Sequence, residues 1–152
     1  ERLINLKDEL KIIDYDISIL ETYQSEIFWN RVKNLEVFSS TKNNIIRIVI
    51  PPSHCVQLLY QFTSNKFKYY IDWGGALIWM EAHELTEAMF DLIRKKVVKY
   101  GGYVSMIKPS VYLPYVEDVF TIDRSRFNIS QNIKVSFDPK RILNPGKMYT
   151  GI

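Results

Sequence analysis

Two consecutive glycines, Gly74 and Gly75, separate two runs of strand-forming residues and constrain the fold more than any other feature of the chain. Residues 67–73 and 76–80 are rich in aromatic and aliphatic side chains, a composition typical of strands. A Gly-Gly pair between two such runs predicts a β-hairpin, because glycine readily adopts the positive φ angles that tight turns require. We therefore expect an antiparallel pair of strands near the middle of the chain.

A second strand signal precedes this hairpin. Residues 45–50 are mostly β-branched, and they end at Pro51 and Pro52, which predicts a strand that stops at the prolines. Ser53 is a plausible N-cap for a helix that follows directly. The apolar residues expected along that helix are Val56, Leu59, Tyr60 and Phe62.

The clearest helical pattern comes after the hairpin. Apolar residues recur at helical spacing over residues 84–100, and Gly101 with Gly102 follows at the position expected of a C-cap. Residues 103–107 then predict a short strand, and residues 128–135 predict a short amphipathic helix. The hairpin is thus flanked by helices and strands in alternation.

The N-terminal part completes the predicted organisation. Residues 1–20 are expected to form a connector and a first strand at 11–20, and a helical pattern begins at Glu21. Residues 21–152 are expected to form one domain. Alternating strands and helices with one hairpin favour an antiparallel sheet with helices packed on one face, and the ferredoxin-like α+β fold is the most economical architecture of this kind.

Composition excludes several classes of function. The net charge is only +3, and the basic residues are spread along the chain, so nucleic acid is not an expected partner. The longest apolar run, at residues 45–52, is far too short to cross a bilayer. One cysteine, Cys55, excludes an internal disulfide and a Cys-rich metal site, and it is typical of a reducing, cytoplasmic setting.

Few residues offer reactive chemistry. His54 and His83 do not lie at metal-ligand spacing from another histidine or cysteine, so no metal site is predicted. Cys55 is expected to be a buried, inert thiol. Arg47 interrupts an apolar strand and has two interpretations: an outward or edge position, or a cation directed towards an anionic ligand.

The most specific motif lies in the tail. Residues 137–148 read F-D-P-K-R-I-L-N-P-G-K-M, with two proline-containing bends. Asn144 precedes Pro145, which predicts an extended backbone at Asn144. One interpretation is a purely structural clasp. The motif also resembles the F-D-P-x-R-x-L-N-P-G ending of FAD-linked oxidases in the vanillyl-alcohol oxidase superfamily.

Three further segments resemble the accessory FAD-binding subunit of bacterial glycolate oxidase. They are the strand R-I-V-I-P-P at residues 47–52, the hairpin Y-I-D-W-G-G-A-L-I-W at 70–79 and G-G-Y-V-S at 101–105, together with Phe28-Trp29. This resemblance implies a cap domain of an FAD-binding subunit, with the FAD held mostly by a separate N-terminal domain. It also implies a small 2-hydroxy acid substrate, a second flavin subunit and an iron–sulfur subunit as partners, and a cytoplasmic location or a peripheral one at the inner membrane.

Within this resemblance, Arg47, Asn144 and Lys147 are the predicted cofactor contacts. No catalytic residue is predicted, because the histidine base and the Glu-His pair of the catalytic oxidases have no counterparts here. Ile78 also replaces the arginine of the accessory subunit's hairpin. The chain alone is therefore expected to be inactive. The alternative hypothesis is a ferredoxin-like interaction module with no redox role.

Overall fold

The computed structural model describes residues 5–6, 18–38, 43–62, 67–109, 118–147 and 149–152. The chain divides into two compact units, residues 1–39 and residues 40–152. Most of the strand predicted at residues 11–20 lies outside the described residues. The predicted boundary at residue 20 stays a prediction.

In the first unit, helix α1 extends over Thr22–Lys33. Glu21 caps it through a capping box with Gln24, in which each side chain accepts from the other residue's backbone N–H. The helix predicted from Glu21 is therefore confirmed. None of its residues is buried, and Tyr23 and Trp29 are among its exposed aromatic side chains.

The second unit contains a four-stranded antiparallel sheet in the order β2-β3-β1-β4. The order of strands and helices along the chain is that of a ferredoxin-like fold, so the predicted α+β class, with an antiparallel sheet and helices on one face, is confirmed. The elements are β1 (Asn44–Val49), α2 (Cys55–Tyr60), β2 (Phe67–Asp72), β3 (Leu77–Ala82), α3 (Glu87–Lys99), β4 (Tyr103–Lys108) and α4 (Arg124–Phe137).

The hydrophobic core lies on one face of this sheet. Alternate residues of the two central strands point into it, and α2 and α3 supply the other side. The fully or nearly fully buried members include Ile46, Ile48, Ile78, Met80, Leu58, Phe90, Ile93, Val97 and Val104. Because side chains alternate along a strand, the residues between these positions lie on the opposite face of the sheet.

Three predicted helix boundaries were wrong. Ser53 does not cap α2: it lies inside a 3₁₀ turn, Pro52–His54, that precedes the helix. α3 begins at Glu87 rather than residue 84, because the Thr86 side chain accepts from the backbone N–H of Met89 and fixes the start there. Of the apolar residues predicted for α2, Leu59 and Phe62 are buried, but Val56 and Tyr60 are exposed, and Cys55 and Leu58 are buried in their place. Finally, α4 is longer than the predicted helix at 128–135, because the Asp123 side chain caps its first turn.

The predicted glycine end of α3 is confirmed. Gly101 has φ +77°, and the N–H groups of Gly101 and Gly102 donate to the carbonyls of Val98 and Val97. This is the Schellman arrangement, which satisfies the last carbonyls of a helix. Gly102 also packs against the end of β1, where a Cβ atom would lie 2.3 Å from the carbonyl oxygen of Val49.

Candidate functional site

A row of polar and aromatic residues crosses the sheet on the face opposite the core. The strand register aligns Tyr70, Trp79, Arg47 and Ser105 side by side across β2, β3, β1 and β4. Trp73, in the hairpin turn, contacts the same row through Arg47. We call these five residues the aromatic face.

Arg47 lies at the centre of the aromatic face. Its guanidinium carbon is 5.3 Å from the ring centre of Trp73 and 5.9 Å from that of Trp79, which is cation–π distance to both. Tyr70 stacks on the other side of Trp79, with ring centres 6.2 Å apart. Among the described residues Arg47 has no acidic partner, so its N–H donors are not committed to an ion pair there. Of the first interpretation of Arg47, an outward or edge position, the edge part is wrong, because β1 is a central strand. The outward part is confirmed, because Arg47 lies on the face opposite the core.

The hairpin turn holds Trp73 in an unusual conformation. Trp73 has φ +54°, and Gly74 and Gly75 continue with φ +61° and +100°. A positive φ is rare for a bulky residue and costs energy, which often marks a functional position. The Asp72 carboxylate accepts from the Trp73 backbone N–H at 2.7 Å and fixes the turn. The result is an indole ring that is 58% exposed yet lies against Arg47.

Ser105 adds a second uncommitted polar group. Its side chain is completely buried, and its Oγ atom has no hydrogen-bond partner among the described residues. Such a group is uncommon, because a buried hydroxyl without a partner loses hydration without compensation. Ser105 is directly opposite Arg47 in the register, so its hydroxyl lies on the strand next to that cation.

The tail motif forms the clasp, which we define as residues 138–147. The Asp138 carboxylate is nearly buried and accepts from Lys134 Nζ at 2.7 Å and from the backbone N–H groups of Ile142 and Leu143 at 3.0 and 2.9 Å. The hydrogen bond from Lys134, together with these two N–H groups, lowers the Asp138 pKa from 3.8 to about 2. Lys134 and Asp138 were not selected from the sequence, although their i, i+4 spacing in and just beyond a helix is the signal of such a pair.

The other predicted cofactor contacts lie in this clasp. Asn144 and Lys147 are both exposed, and the Lys147 N–H donates to the Asn144 carbonyl. The extended backbone predicted for Asn144 is wrong: its φ is +46°, a left-handed conformation that asparagine tolerates better than most residues. Among the described residues, no hydrogen bond, ion pair or ring contact joins Arg47 to Asn144 or Lys147. The structure therefore brings two of the three residues together.

The other titratable residues considered from the sequence include His54 and Cys55, and both pack within the fold. His54 stacks on Tyr100, with ring centres 4.4 Å apart. Cys55 is buried, and burial raises its pKa, which favours the unreactive thiol. Within the described ranges, no three His, Cys, Asp or Glu residues form a possible metal site. Nor does any described helix combine the length and apolar character that a membrane span requires.

The fold and the aromatic face together define a ferredoxin-like domain that carries a cation stacked against two indole rings on its sheet. Residues 119–148 match the family of FAD linked oxidases, C-terminal domain. The matched segment includes α4 and all of the clasp, and over these residues the chain is similar to that family. The resemblance drawn from the tail motif is thus supported at the level of this family. Nothing matches among the curated proteins or the solved structures compared with the chain.

Proposed function

We propose that this domain is the cap of an FAD-binding subunit of a glycolate oxidase-type complex, and that its aromatic face lies against the flavin ring system. The observation that carries the proposal is Arg47, a cation stacked between Trp73 and Trp79 without an acidic partner among the described residues. The match of residues 119–148 to FAD-linked oxidases gives the cofactor class. A bound flavin supplies the redox chemistry that no side chain of this chain provides.

The residues of the aromatic face fit one part of the cofactor. A flavin ring is flat and carries several hydrogen-bond acceptors, and the face offers indole rings and the Arg47 guanidinium. A positive charge beside the ring favours negative charge on it. The exposed Asn144 and Lys147 are proposed as further contacts from the clasp. No Gly-rich phosphate-binding sequence occurs in the chain, so the diphosphate is assigned to a separate N-terminal domain.

The rest of the assembly follows from the resemblance. We propose that a small 2-hydroxy acid is oxidised in the complex and that a second flavin subunit abstracts the hydride. An iron–sulfur subunit would receive the electrons. The part of this domain is to orient the flavin and to exclude water from it.

A titration with riboflavin tests this proposal, since riboflavin has the flavin ring without the diphosphate. In a Trp29→Phe background, Trp73 and Trp79 are the only tryptophans, and riboflavin binding is expected to quench their fluorescence. Arg47→Gln should weaken binding about tenfold, which corresponds to about 1.4 kcal/mol and is within the range of a partly desolvated cation–π site. Lys95→Gln, on the exposed side of α3, is the matched control and should change nothing.

FAD serves as the second titrant. It should bind no more tightly than riboflavin, because the chain has no diphosphate site, and the purified chain should be colourless. Stoichiometric, tightly held FAD would contradict the assignment of the diphosphate to another domain. An absence of quenching by either compound would favour the alternative function.

That alternative is an interaction module without a redox role. It is favoured by the composition of the aromatic face, because Trp, Tyr and Arg are the residue types that dominate binding energy at protein interfaces, and Trp73 is exposed. Under this alternative, Arg47→Gln would leave riboflavin titrations flat and would weaken the assembly of subunits.

A further inference from the structure

A second surface, separate from the aromatic face, lies where α4 meets the clasp. Its apolar side chains are unusually exposed: Ile133 by 54%, Phe137 by 84%, Ile142 by 72% and Leu143 by 59%. Ile133 and Phe137 are four residues apart and share one side of the helix. We call these four residues the clasp patch. A contiguous apolar surface of this kind on a folded domain commonly marks an interaction site.

The clasp patch is held in a defined shape. Asp138 accepts the N–H groups of Ile142 and Leu143, so the backbone that carries two of its side chains is tied to the end of α4. Lys134 donates to the same carboxylate at 2.7 Å. Beside these bonds lies an open, largely apolar concavity of about 230 Å³, lined by Phe137, Asp138, Pro139, Lys140, Ile142 and Leu143. A rigid hollow loses little entropy when it binds, which favours affinity.

The charge around the clasp patch is strongly one-sided. Residues 133–147 contain four basic side chains and one acidic side chain, a local net charge of +3, as large as that of the entire chain. The single acid is Asp138, which is already paired with Lys134. Lys140, Arg141 and Lys147 are exposed beside the apolar residues. A partner for this surface must therefore be negatively charged.

We propose that the clasp patch binds an acidic polypeptide surface from which an apolar side chain protrudes. A second copy of this chain would bring like charges together, which is unfavourable. A concavity of about 230 Å³ has room for one side chain, which a folded protein or peptide presents and a fluid lipid surface does not. This inference does not depend on the aromatic face, because the four residues of the clasp patch are not part of that face; Lys147 is the one basic residue beside the patch that is also a proposed flavin contact.

A peptide titration tests the proposal. The probe is a fluorescein-labelled peptide with a central Leu-Phe pair flanked by three glutamates on each side, followed by anisotropy. It should bind, and added salt should weaken the binding. Two variants should each reduce the affinity for the peptide about tenfold or more. Phe137→Ser removes an apolar side chain of the patch, and Lys140→Glu/Arg141→Glu reverses two positive charges beside it. Because all three side chains are exposed, circular dichroism should show intact variants.

Matched controls come from α3. Val98→Ser removes an apolar side chain that is 45% exposed, and Lys95→Glu/Lys99→Glu reverses two exposed charges, so both should bind the peptide normally. A peptide with lysines in place of the glutamates should not bind. The proposal is overturned if the acidic peptide fails to bind, if the lysine peptide binds equally, or if the control variants lose as much affinity.

Two further measurements distinguish other occupants. The first is binding to phosphatidylcholine vesicles that contain phosphatidylglycerol. If the protein binds these vesicles as well as it binds the acidic peptide, the clasp patch is assigned to a lipid surface instead. Sedimentation that shows a dimer, lost in Phe137→Ser, would assign it to a second copy. Either result would replace the acidic polypeptide as the partner.

Discussion

Gly102 offers the sharpest test of how the sheet and α3 are joined. A Cβ atom at this position would lie 2.3 Å from the Val49 carbonyl oxygen, 2.9 Å from Val97 Cγ1 and 3.2 Å from Ile50 Cα. Even a close carbon–oxygen contact is about 3.3 Å, so Gly102→Ala requires the end of β1 and the end of α3 to separate by about 1 Å. Gly101→Ala is the natural control, because a Cβ there meets nothing within 4 Å although φ is +77°.

The two substitutions should differ in size. Overpacking against a backbone atom in a close-packed region costs about 3 kcal/mol, the upper part of the usual range. At Gly101 the left-handed conformation costs an L-residue about 1–2 kcal/mol, and the smaller conformational freedom of alanine in the unfolded chain offsets part of this, leaving about 1 kcal/mol. The expected difference of about 2 kcal/mol therefore distinguishes the steric contact at Gly102 from the conformational cost at Gly101.

Urea denaturation followed by tryptophan fluorescence provides the measurement. In a Trp29→Phe background the remaining tryptophans, Trp73 and Trp79, both lie in the unit that contains the sheet. With a slope of about 2 kcal/mol per M, the midpoint should fall by about 1.5 M for Gly102→Ala and by about 0.5 M for Gly101→Ala. If Gly102→Ala lowers the midpoint no more than Gly101→Ala does, the close approach of α3 to β1 is refuted.

Three further predictions concern the clasp and the hairpin. Because the pKa of Asp138 is lowered to about 2, its ionised form stabilises the clasp fully above about pH 4, and this stabilisation disappears as the pH falls through 2. The Ile142 and Leu143 amides should therefore lose protection from hydrogen exchange over that pH interval. Unchanged protection would contradict this role of Asp138. Gly75→Val should lower the free energy of unfolding by about 1–3 kcal/mol, because φ is +100° and the new side chain meets Pro52, and an unaltered urea midpoint would count against this reading of the turn. At Asn144, with φ +46°, substitution by alanine should cost the clasp about 1 kcal/mol and substitution by glycine almost nothing; equal losses would point to a side-chain contact instead of backbone conformation.

Local chemistry in the sequence was sufficient to predict most of the elements. The conformational freedom of glycine explains both the hairpin around Gly74 and Gly75 and the end of α3 at Gly101. This freedom is a local property of the residue and does not depend on tertiary contacts. The strand before Pro51 follows from its β-branched residues. The sequence was less informative where two local signals pointed to different structures. Ser53 has a side chain suited to capping a helix, yet it lies inside a 3₁₀ turn that begins at Pro52.

The sequence by itself therefore determined the class of fold, the hairpin and the tail motif that matches FAD-linked oxidases. Only the tertiary structure decided which residues meet. Arg47 and Ser105 are 58 positions apart, and Arg47 and Trp73 are 26 apart, so their proximity depends on strand order and register, which no local pattern encodes. The clasp also depends on tertiary structure. The i, i+4 spacing of Lys134 and Asp138 is visible in the sequence, but the two backbone N–H groups that help to lower the Asp138 pKa reach its carboxylate only after the chain has turned. A one-residue change of strand register moves every side chain to the other face, which is why the candidate site required the structure.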